Sequence, residues 1–401
     1  MFFTLDVRRA RKGDCLLLHY GSKTEPGLAL IDGGPSNVYQ PHLKPRLDQI
    51  RKARKLAASA PLQVDFLMVS HIDDDHIKGI LELTKELVEA AGPPPLKISG
   101  LWHNTFDDII GNNPDRLKAA VTAAFGTASL SGDGEEIDGL NPDVAKIFAS
   151  VGQGFRLRDD ARALKLRVNP QFKGKLIIAR KKGKQIDMGK GLKFKVIGPM
   201  NDEVLALQQA HDDFLEKQQK ASESALAAFA DKSVANLSSL VVLAEVGDRS
   251  ILLTGDARGD KVLEGLELVG LLTNDEKSTI HVDVLKCPHH GSNRNVEPIF
   301  FRRITADHYV FSGNGEHGNP ERETLEMLWA ERGEAKYTVH LTYPVDEIDA
   351  ERKKEVKKKG KPWSPKKQSL AAFLDANPKL AKKIVIVDET KPHLINLLDK
   401  L

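Results

Sequence analysis

Residues 70–76 read Ser-His-Ile-Asp-Asp-Asp-His and place two histidines and three carboxylates in six consecutive positions. The apolar run 64–69 before them predicts a buried strand, and the apolar spacing of residues 77–83 after them predicts a helix. Imidazoles and carboxylates at this density repel one another unless a cation lies among them. We therefore expect a strand-to-helix turn that holds metal ligands towards a cleft. The alternative is a solvated acidic loop that carries histidine.

Other polar side chains also follow predicted strands. Asp32 ends the strand 28–32, Thr254-Gly255-Asp256 follows the strand 250–253, and His289-His290 follows the strand 282–286. Strands alternate with helices over the first hundred residues, which predicts an α/β class. In such folds the ends of strands are where ligands gather, so we expect these residues to share one cleft.

The size and composition predict one decorated domain, or one domain with an appendage. The chain has 401 residues, of which 41% are hydrophobic, enough for a large core. Cys15 and Cys287 lie far apart in apolar runs, which favours buried thiols in a reducing compartment. The start lacks the apolar core of a signal peptide, and no run approaches the roughly 20 apolar residues that span a bilayer. We therefore expect a soluble, cytoplasmic protein without a membrane partner.

Two segments carry most of the positive charge. The net charge of +3 is too small to predict a polyanionic partner, but residues 162–195 contain twelve Lys or Arg and one acid. Residues 352–367 contain nine Lys or Arg and one acid, which we interpret as a basic linker. Such runs are typical of solvated loops, and they also occur in nucleic-acid contacts, for which the densest candidates are Arg180, Lys181, Lys182 and Lys184.

Between residues 105 and 189 the pattern changes from alternating elements to helical stretches. We predict a helical insertion there, with helices at 114–125 and 142–166 around a glycine-rich stretch at 129–139. Strands at 176–179 and 192–197 and a polar helix at 201–231 follow. The predicted main domain is 1–344, and the predicted extension 345–401 consists of the basic linker, a helix and a final strand at 383–387.

Four motifs in this order resemble those of the metallo-β-lactamase superfamily, and in particular its ComEC-like branch. They are Asp32-Gly33-Gly34, His71-x-Asp73-x-Asp75-His76, Thr254-Gly255-Asp256 and His289-His290-Gly291-Ser292. The resemblance covers about residues 1–344 without the insertion. It implies an α/β fold of the αββα four-layer sandwich type, here with a helical insertion and a basic C-terminal extension.

The resemblance also implies a site with two divalent metal ions. His71 and Asp73 would bind the first ion, Asp75 and His76 the second, and Asp256 would bridge them. His290, rather than His289, would complete the second site. Asp32 would orient one of the ligands without binding a metal ion itself. This chain has Asp73 where most members have histidine, and Asn236 in the segment where many have another histidine. Harder ligands weaken the first site and favour manganese or magnesium relative to zinc.

Two bridged cations activate water, so we expect a metal-dependent hydrolase with metal-bound hydroxide as its nucleophile and Asp75, His76 and Asp256 in catalysis. A phosphodiester is the first choice of substrate, which makes the chain a phosphodiesterase or nuclease acting on DNA or another nucleic acid. The alternatives are a small-molecule hydrolase for a lactone, thioester or phosphoester, and a non-catalytic metal-containing module that binds a partner. A protein partner could also bind through the insertion. Around the substrate we expect Ser292, His317 and His103.

Overall fold

The computed structural model describes residues 1–104, 142–205 and 238–401. Several predicted features lie outside these ranges. They are the helix at 114–125, the glycine-rich stretch at 129–139, most of the polar helix at 201–231, and Asn236.

The described part of the chain contains two large β-sheets. Their strands, in chain order, are β1 (Phe2–Val7), β2 (Leu16–Gly21), β3 (Pro26–Ile31), β4 (Leu62–Val64), β5 (Phe66–Met68), β6 (Leu96–Ile98), β7 (Gly100–Trp102), β8 (Arg167–Val168), β9 (Ile186–Gly189), β10 (Leu192–Gly198), β11 (Val241–Val246), β12 (Arg249–Leu253), β13 (Ile280–Lys286), β14 (Ile304–Phe311), β15 (Thr338–Leu341), β16 (Ile384–Ile386) and β17 (His393–Asn396). The first sheet has the order β17-β1-β2-β3-β5-β7-β8, the second has the order β16-β15-β14-β13-β12-β11-β10-β9, and β4 pairs with β6 alone.

Helices cover the outer faces of both sheets. They are α1 (Lys44–Ala53), α2 (Asp74–Glu89), α3 (Pro142–Ala163), α4 (Gly259–Leu268), α5 (Pro298–Arg303), α6 (Arg322–Arg332), α7 (Val345–Lys358), α8 (Pro365–Gln368), α9 (Leu370–Ala376) and α10 (Pro378–Ala381). One core joins the inner faces of the two sheets and includes Leu5, Phe194 and Val310. A second core lies between the first sheet and α1 to α3, and a third between the second sheet and the helices that follow β12.

Helix α2 illustrates how the sequence positions the functional cluster. Its apolar residues recur at helical spacing, as at Ile77, Ile80 and Leu81, and pack into the core against the first sheet. Gly79 allows the helix to lie directly on the loop that contains Gly33. A Cβ atom at residue 79 would stand 2.0 Å from the Gly33 carbonyl oxygen. The start of α2 is therefore held against the end of β3.

The structure confirms the predicted mixed α/β class and most of the predicted elements. Strands β1, β2 and β3 form an antiparallel meander at the start of the chain. Residues 96–102 form the two short strands β6 and β7, which belong to different sheets. The helix expected from residue 77 begins at Asp74, since two acidic residues in a first turn favour the helix N-terminus. Asp74, Asp75 and His76 therefore lie in helical backbone.

Three other predictions differ from the structure. Residues 176–179 are not a strand, because the Asn104 side chain satisfies both polar backbone groups of Ile177, at 2.7 and 2.9 Å. The basic linker is helical over 352–358, in α7, and over 365–367, in α8, and the lysines and glutamates of α7 have high helix propensity. The strand at 383–387 is not the last, since β17 follows it and pairs with β1.

Residues 345–401 contribute a strand to each sheet. β16 extends the second sheet next to β15, and β17 forms the edge of the first sheet. Within the described ranges, no helix combines the length and apolar character needed to cross a membrane.

Candidate metal centre

Residues from both sheets meet at one edge of the two-sheet sandwich. The segment after β5 supplies the 71–76 cluster, and the segments after β12 and β13 supply Asp256 and the pair His289-His290. Cross-sheet contacts between these groups are as short as 3.1 Å. The expected convergence of strand ends is therefore present in the structure.

Three of these side chains form a tight triangle. The Nε2 atoms of His76 and His290 are 3.2 Å apart, and Oδ1 of Asp256 lies 3.1 and 3.3 Å from them. Ligands at zinc-like bond lengths of about 2.0 Å around a tetrahedral ion are separated by about 3.3 Å. Oδ2 of Asp75 lies 3.6 Å from the His290 Nε2 atom and is positioned as a fourth ligand. These residues fit a divalent cation, and they are the ones assigned to the second ion by the resemblance.

The other oxygen of Asp256 faces a looser group. Its Oδ2 atom lies 3.8 Å from Nε2 of His71 and 3.6 Å from Nε2 of His289. Asp73 Oδ2 stands 3.9 Å from the same His71 nitrogen. His289 therefore sits beside the first group, while His290 belongs to the second. The two oxygens of Asp256 point to different groups, as a bridging carboxylate requires.

Two buried atoms in this cluster lack a hydrogen-bond partner among the described residues. They are Nε2 of His71 and Oδ1 of Asp256. Buried polar atoms normally find a partner, and exceptions call for an explanation such as an ion. Both atoms point into the two groups described above, so a cation in each group would satisfy them.

The far nitrogens of two histidines are held by neighbouring side chains. Nδ1 of His76 lies 2.8 Å from Asp32, and Asp32 in turn accepts hydrogen bonds of 2.7 Å from the backbone and hydroxyl of Ser70. Nδ1 of His71 lies 3.1 Å from the Ser70 hydroxyl and 3.2 Å from that of Ser239. Such partners fix the tautomer and the ring orientation of metal-binding histidines.

His290 is held by residues that the sequence did not reveal. Its Nδ1 atom lies 3.0 Å from the Ser312 hydroxyl and 3.5 Å from Asp14, and Asp14 forms an ion pair of 2.6 Å with Lys286. Asp14 lies just before β2, whereas Asp32 directly follows β3. Neither Asp14 nor Ser239 directly follows a predicted strand, so the signal that pointed to Asp32 does not point to them.

The backbone around the cluster is strained. Asp32, His289 and His290 have φ angles of 55°, 45° and 55°, in the left-handed region that non-glycine residues rarely adopt. Strain of this kind persists where surrounding contacts over-determine it and is concentrated at functional sites. One such contact is the hydrogen bond of 3.1 Å from the His289 backbone to Gly255. The turn that presents both histidines is thus rigid.

The electrostatics of the cluster follow from burial and from its crowded charges. Burial is the largest single effect and favours neutral imidazole, but the Asp256 and Asp14 carboxylates together outweigh it and raise the pKa of His290 to about 10. The pKa of His76 is raised well above its usual value, because Asp256 and Asp32 together outweigh burial. The pKa of Asp256 is held well below its usual value, because the nearby imidazoles outweigh burial. A cation that enters the second group must therefore displace protons from these histidines.

The remaining predicted residues lie around this cluster. His103 is buried, and burial lowers its pKa to about 4, so that it is neutral at pH 7. Ser292 is buried in the turn after His290, and its backbone nitrogen donates to His289 at 2.9 Å. His317 is exposed and lies 3.3 Å from Lys12, whose ammonium is 3.9 Å from Asp74. His317 and Lys12 therefore lie at the rim of the cluster.

The basic segment lies far from the cluster. Arg180, Lys181, Lys182 and Lys184 are exposed, and the Lys182 backbone nitrogen donates to Leu268, the last residue of α4. The other end of α4 begins three residues after Asp256. Ten helical residues span about 15 Å, so the segment does not border the cluster.

Neither a protein-family model nor a curated protein sequence matches this chain. Among solved structures, a protein of unknown function from Enterococcus faecalis V583 is similar, with 10% sequence identity and a TM-score of 0.29. The match covers 86% of this chain and 71% of that one. A likeness of this size carries no argument about function, which must rest on the site itself.

Proposed function

We propose that this protein is a metal-dependent hydrolase of the metallo-β-lactamase type, with two divalent cations and a phosphodiester substrate. The observation that carries the proposal is the arrangement around Asp256. Its two oxygens face two separate groups of imidazole and carboxylate ligands, at 3.1–3.3 Å on one side and 3.6–3.8 Å on the other. The looser group is the one with Asp73, which supports a weaker first site.

The charge balance also supports two cations. Five carboxylates belong to the cluster and its immediate supports, against one lysine, Lys286, which gives a net charge of −4 before the histidines are counted; the five are Asp14, Asp32, Asp73, Asp75 and Asp256. Anions in a protein interior are costly unless they are compensated. Two protonated imidazoles offset half of this charge, and two divalent cations offset all of it.

The bound cations would supply Lewis acidity and a water molecule of lowered pKa. The chain's own residues orient and hold the site. Asp32 keeps the His76 ring in place through Nδ1, so that Nε2 faces Asp256 and His290. Lys12 and His317 at the rim are placed to contact an anionic substrate. The ligand set includes both nitrogen and oxygen donors, which suits zinc or manganese and permits magnesium.

A nucleic acid is the first choice among phosphodiesters, since the chain carries two basic segments. The position of Arg180–Lys184 favours a second candidate. Because this segment lies at the far end of α4, it does not border the metal cluster. That placement supports a smaller substrate, such as a small phosphoester, a lactone or a thioester, hydrolysed by the same site.

The test uses full-length protein stripped with a chelator and then supplied with manganese, magnesium or zinc. The substrates are labelled single- and double-stranded DNA, RNA, a chromogenic phosphodiester, a lactone and a thioester. We expect metal-dependent cleavage of at least one phosphodiester, and a loss of roughly 100-fold or more in Asp73→Ala and in His290→Ala. The matched controls are the exposed residues Asp187 and His281, each changed to alanine, which should keep activity.

The outcomes separate the alternatives. Cleavage of the lactone or thioester alone would select the small-molecule hydrolase. Cleavage that survives both site substitutions would show that the site is wrong. A protein that retains no metal when purified without chelators, and that cleaves nothing when metal is added, would refute the proposal.

A further inference from the structure

We propose that Asp14 and Lys286 act as a pair that sets the orientation and the metal affinity of His290 without touching the ion. This role rests on the metal-binding part of the proposed function. Asp14 lies close enough to the ligands to be mistaken for one of them. Its position relative to the histidine rings shows that it orients a ligand and is not a ligand of the same ion.

Asp14 lies on the wrong side of the rings to bind the same ion. Its Oδ1 atom is 3.5 Å from Nδ1 of His290, and its Oδ2 atom is 3.8 Å from Nδ1 of His76. The atoms that converge on Asp256 are the opposite nitrogens, the two Nε2 atoms. A cation in that triangle has the imidazole rings between itself and Asp14. Asp14 therefore faces the Nδ1 atoms of His290 and His76, on the side of the rings away from the ion.

Both oxygens of Asp14 are already engaged. Oδ2 accepts from the Lys286 ammonium at 2.6 Å, and Oδ1 accepts a short hydrogen bond from the Ser312 hydroxyl. Ser312 also lies 3.0 Å from Nδ1 of His290. Asp14 and Ser312 together hold that nitrogen, as Asp32 and Ser70 hold the corresponding nitrogen of His76.

Lys286 explains how Asp14 can be so deeply buried. The side chains of Asp14 and Lys286 are 2% and 1% exposed. An anion at this depth is costly unless a counter-charge is close, and the ammonium supplies one. Lys286 is itself anchored, because its ammonium donates to the Gly255 carbonyl at 3.3 Å and its own carbonyl accepts from Thr254 at 2.7 Å. The lysine fixes Asp14, and Asp14 fixes His290.

The pair also links the two sheets. Asp14 lies between β1 and β2 of the first sheet, while Lys286 ends β13 of the second. His290 can be oriented in this way only when the sheets are packed together. We therefore expect the second cation and the packing of the sheets to stabilise each other.

The experiment measures zinc binding to chelator-stripped, full-length protein by competition with a chromophoric chelator. The variants are Asp14→Asn, Lys286→Met and the double variant. We expect Asp14→Asn to weaken one of the two zinc ions by about 10- to 100-fold and the other by less than about threefold. The matched control is Asp65 with Lys190, a second Asp–Lys pair at 2.8 Å, and Asp65→Asn should leave both affinities unchanged.

The double variant tests whether Lys286 acts through Asp14. If it does, Lys286→Met alters zinc affinity in the wild-type background and by less than about threefold in the Asp14→Asn background. An equal effect in both backgrounds would mean that Lys286 acts on the cation directly, and the pair would be refuted. Folded Asp14→Asn that binds both zinc ions normally would refute it as well.

A measurement on the wild-type protein keeps the test valid if a variant fails to fold. In the zinc-loaded protein, ¹⁵N NMR of His290 should show zinc on Nε2 and a proton on Nδ1. Zinc on Nδ1 would overturn the inference. If the wild-type protein binds no zinc or manganese, the proposed function fails together with the inference. If it binds metal and hydrolyses substrate while Asp14→Asn is unaffected, only the inference fails.

Discussion

A row of three histidines away from the metal cluster makes stability depend on pH. Nδ1 of His308 lies 2.9 Å from Nε2 of His340, and Nδ1 of His340 lies 2.8 Å from Nε2 of His393. The rings come from β14, β15 and β17 and so connect the second sheet with the edge strand of the first. His340, in the middle, is 6% exposed. Burial, with smaller effects from its two neighbours, lowers its pKa to about 3.

The sign of the effect follows from this lowered pKa. The unfolded chain takes up a proton on His340 below about pH 6.5, whereas the folded protein does not until the pH approaches 3. Stability is therefore complete above about pH 6.5 and is lost as the pH falls, at about 1.4 kcal/mol per pH unit. At about pH 4.5 the loss from this one residue is about 2.7 kcal/mol. The pKa values of His308 and His393 are lowered too, mainly by burial, and add in the same direction.

The perturbation is His340→Gln, compared with wild type by urea unfolding from pH 7 to pH 4.5. Both proteins are measured with a chelator, so that release of metal does not contribute to the pH dependence. The variant is expected to be less stable at pH 7, and the gap should shrink by about 2.7 kcal/mol at pH 4.5. His281→Gln is the control, because it removes an exposed imidazole that does not belong to the row of three histidines. A gap that stays constant within about 0.5 kcal/mol, which is the size of ordinary surface effects, would refute the reasoning.

Three further outcomes are expected. Asp256→Asn should lose most of both bound metals, as measured by atomic emission on the folded protein, because its two oxygens face both groups; retention of both ions would contradict the bridging role. Gly13→Ala should lower the free energy of unfolding by about 1–3 kcal/mol, measured by thermal or urea unfolding, because its Cβ would lie 1.8 Å from the Asp75 carbonyl oxygen. Gly92→Ala is the control, since a Cβ there meets nothing within 4 Å, and it should lower the free energy of unfolding far less. Charge reversal of Arg180–Lys184 should leave kcat/KM for a small phosphodiester unchanged; a large fall would show that the segment acts at the metal cluster. The same variant should make DNA binding less dependent on salt concentration only if the segment contacts the phosphate backbone of the DNA.

Local sequence patterns predicted the functional cluster best where several potential ligands lie close together in the chain. Two imidazoles and three carboxylates between an apolar run and a helical pattern predicted the metal-ligand turn, and the structure places that turn after β5. Asp32 and Asp256 were found because each follows a short apolar run. The main local error concerned the start of α2, because acidic residues suit both a loop and a helix N-terminus.

Contacts across the sandwich were beyond the reach of these patterns. Asp14 is separated by 272 residues from Lys286, its ion-pair partner, and nothing local marks either residue as a partner of the other. Ser239 lies in a segment that drew attention for lacking a histidine, yet its hydroxyl stands 3.2 Å from His71. Such pairings depend on how two sheets pack, and a short sequence window does not contain that information.

The sequence by itself determined which ligand types the cluster offers, because imidazoles and carboxylates are properties of single residues and their placement after strands is a local pattern. It also determined the α/β class, through the alternation of strand and helix periods. Only the tertiary structure decided which ligands share a group. His289 and His290 are neighbours in the chain, yet left-handed backbone at both positions turns them towards opposite oxygens of Asp256. The tertiary structure also decided that the basic segment Arg180–Lys184 lies at the far end of α4, since that position depends on how the chain packs and not on its charge.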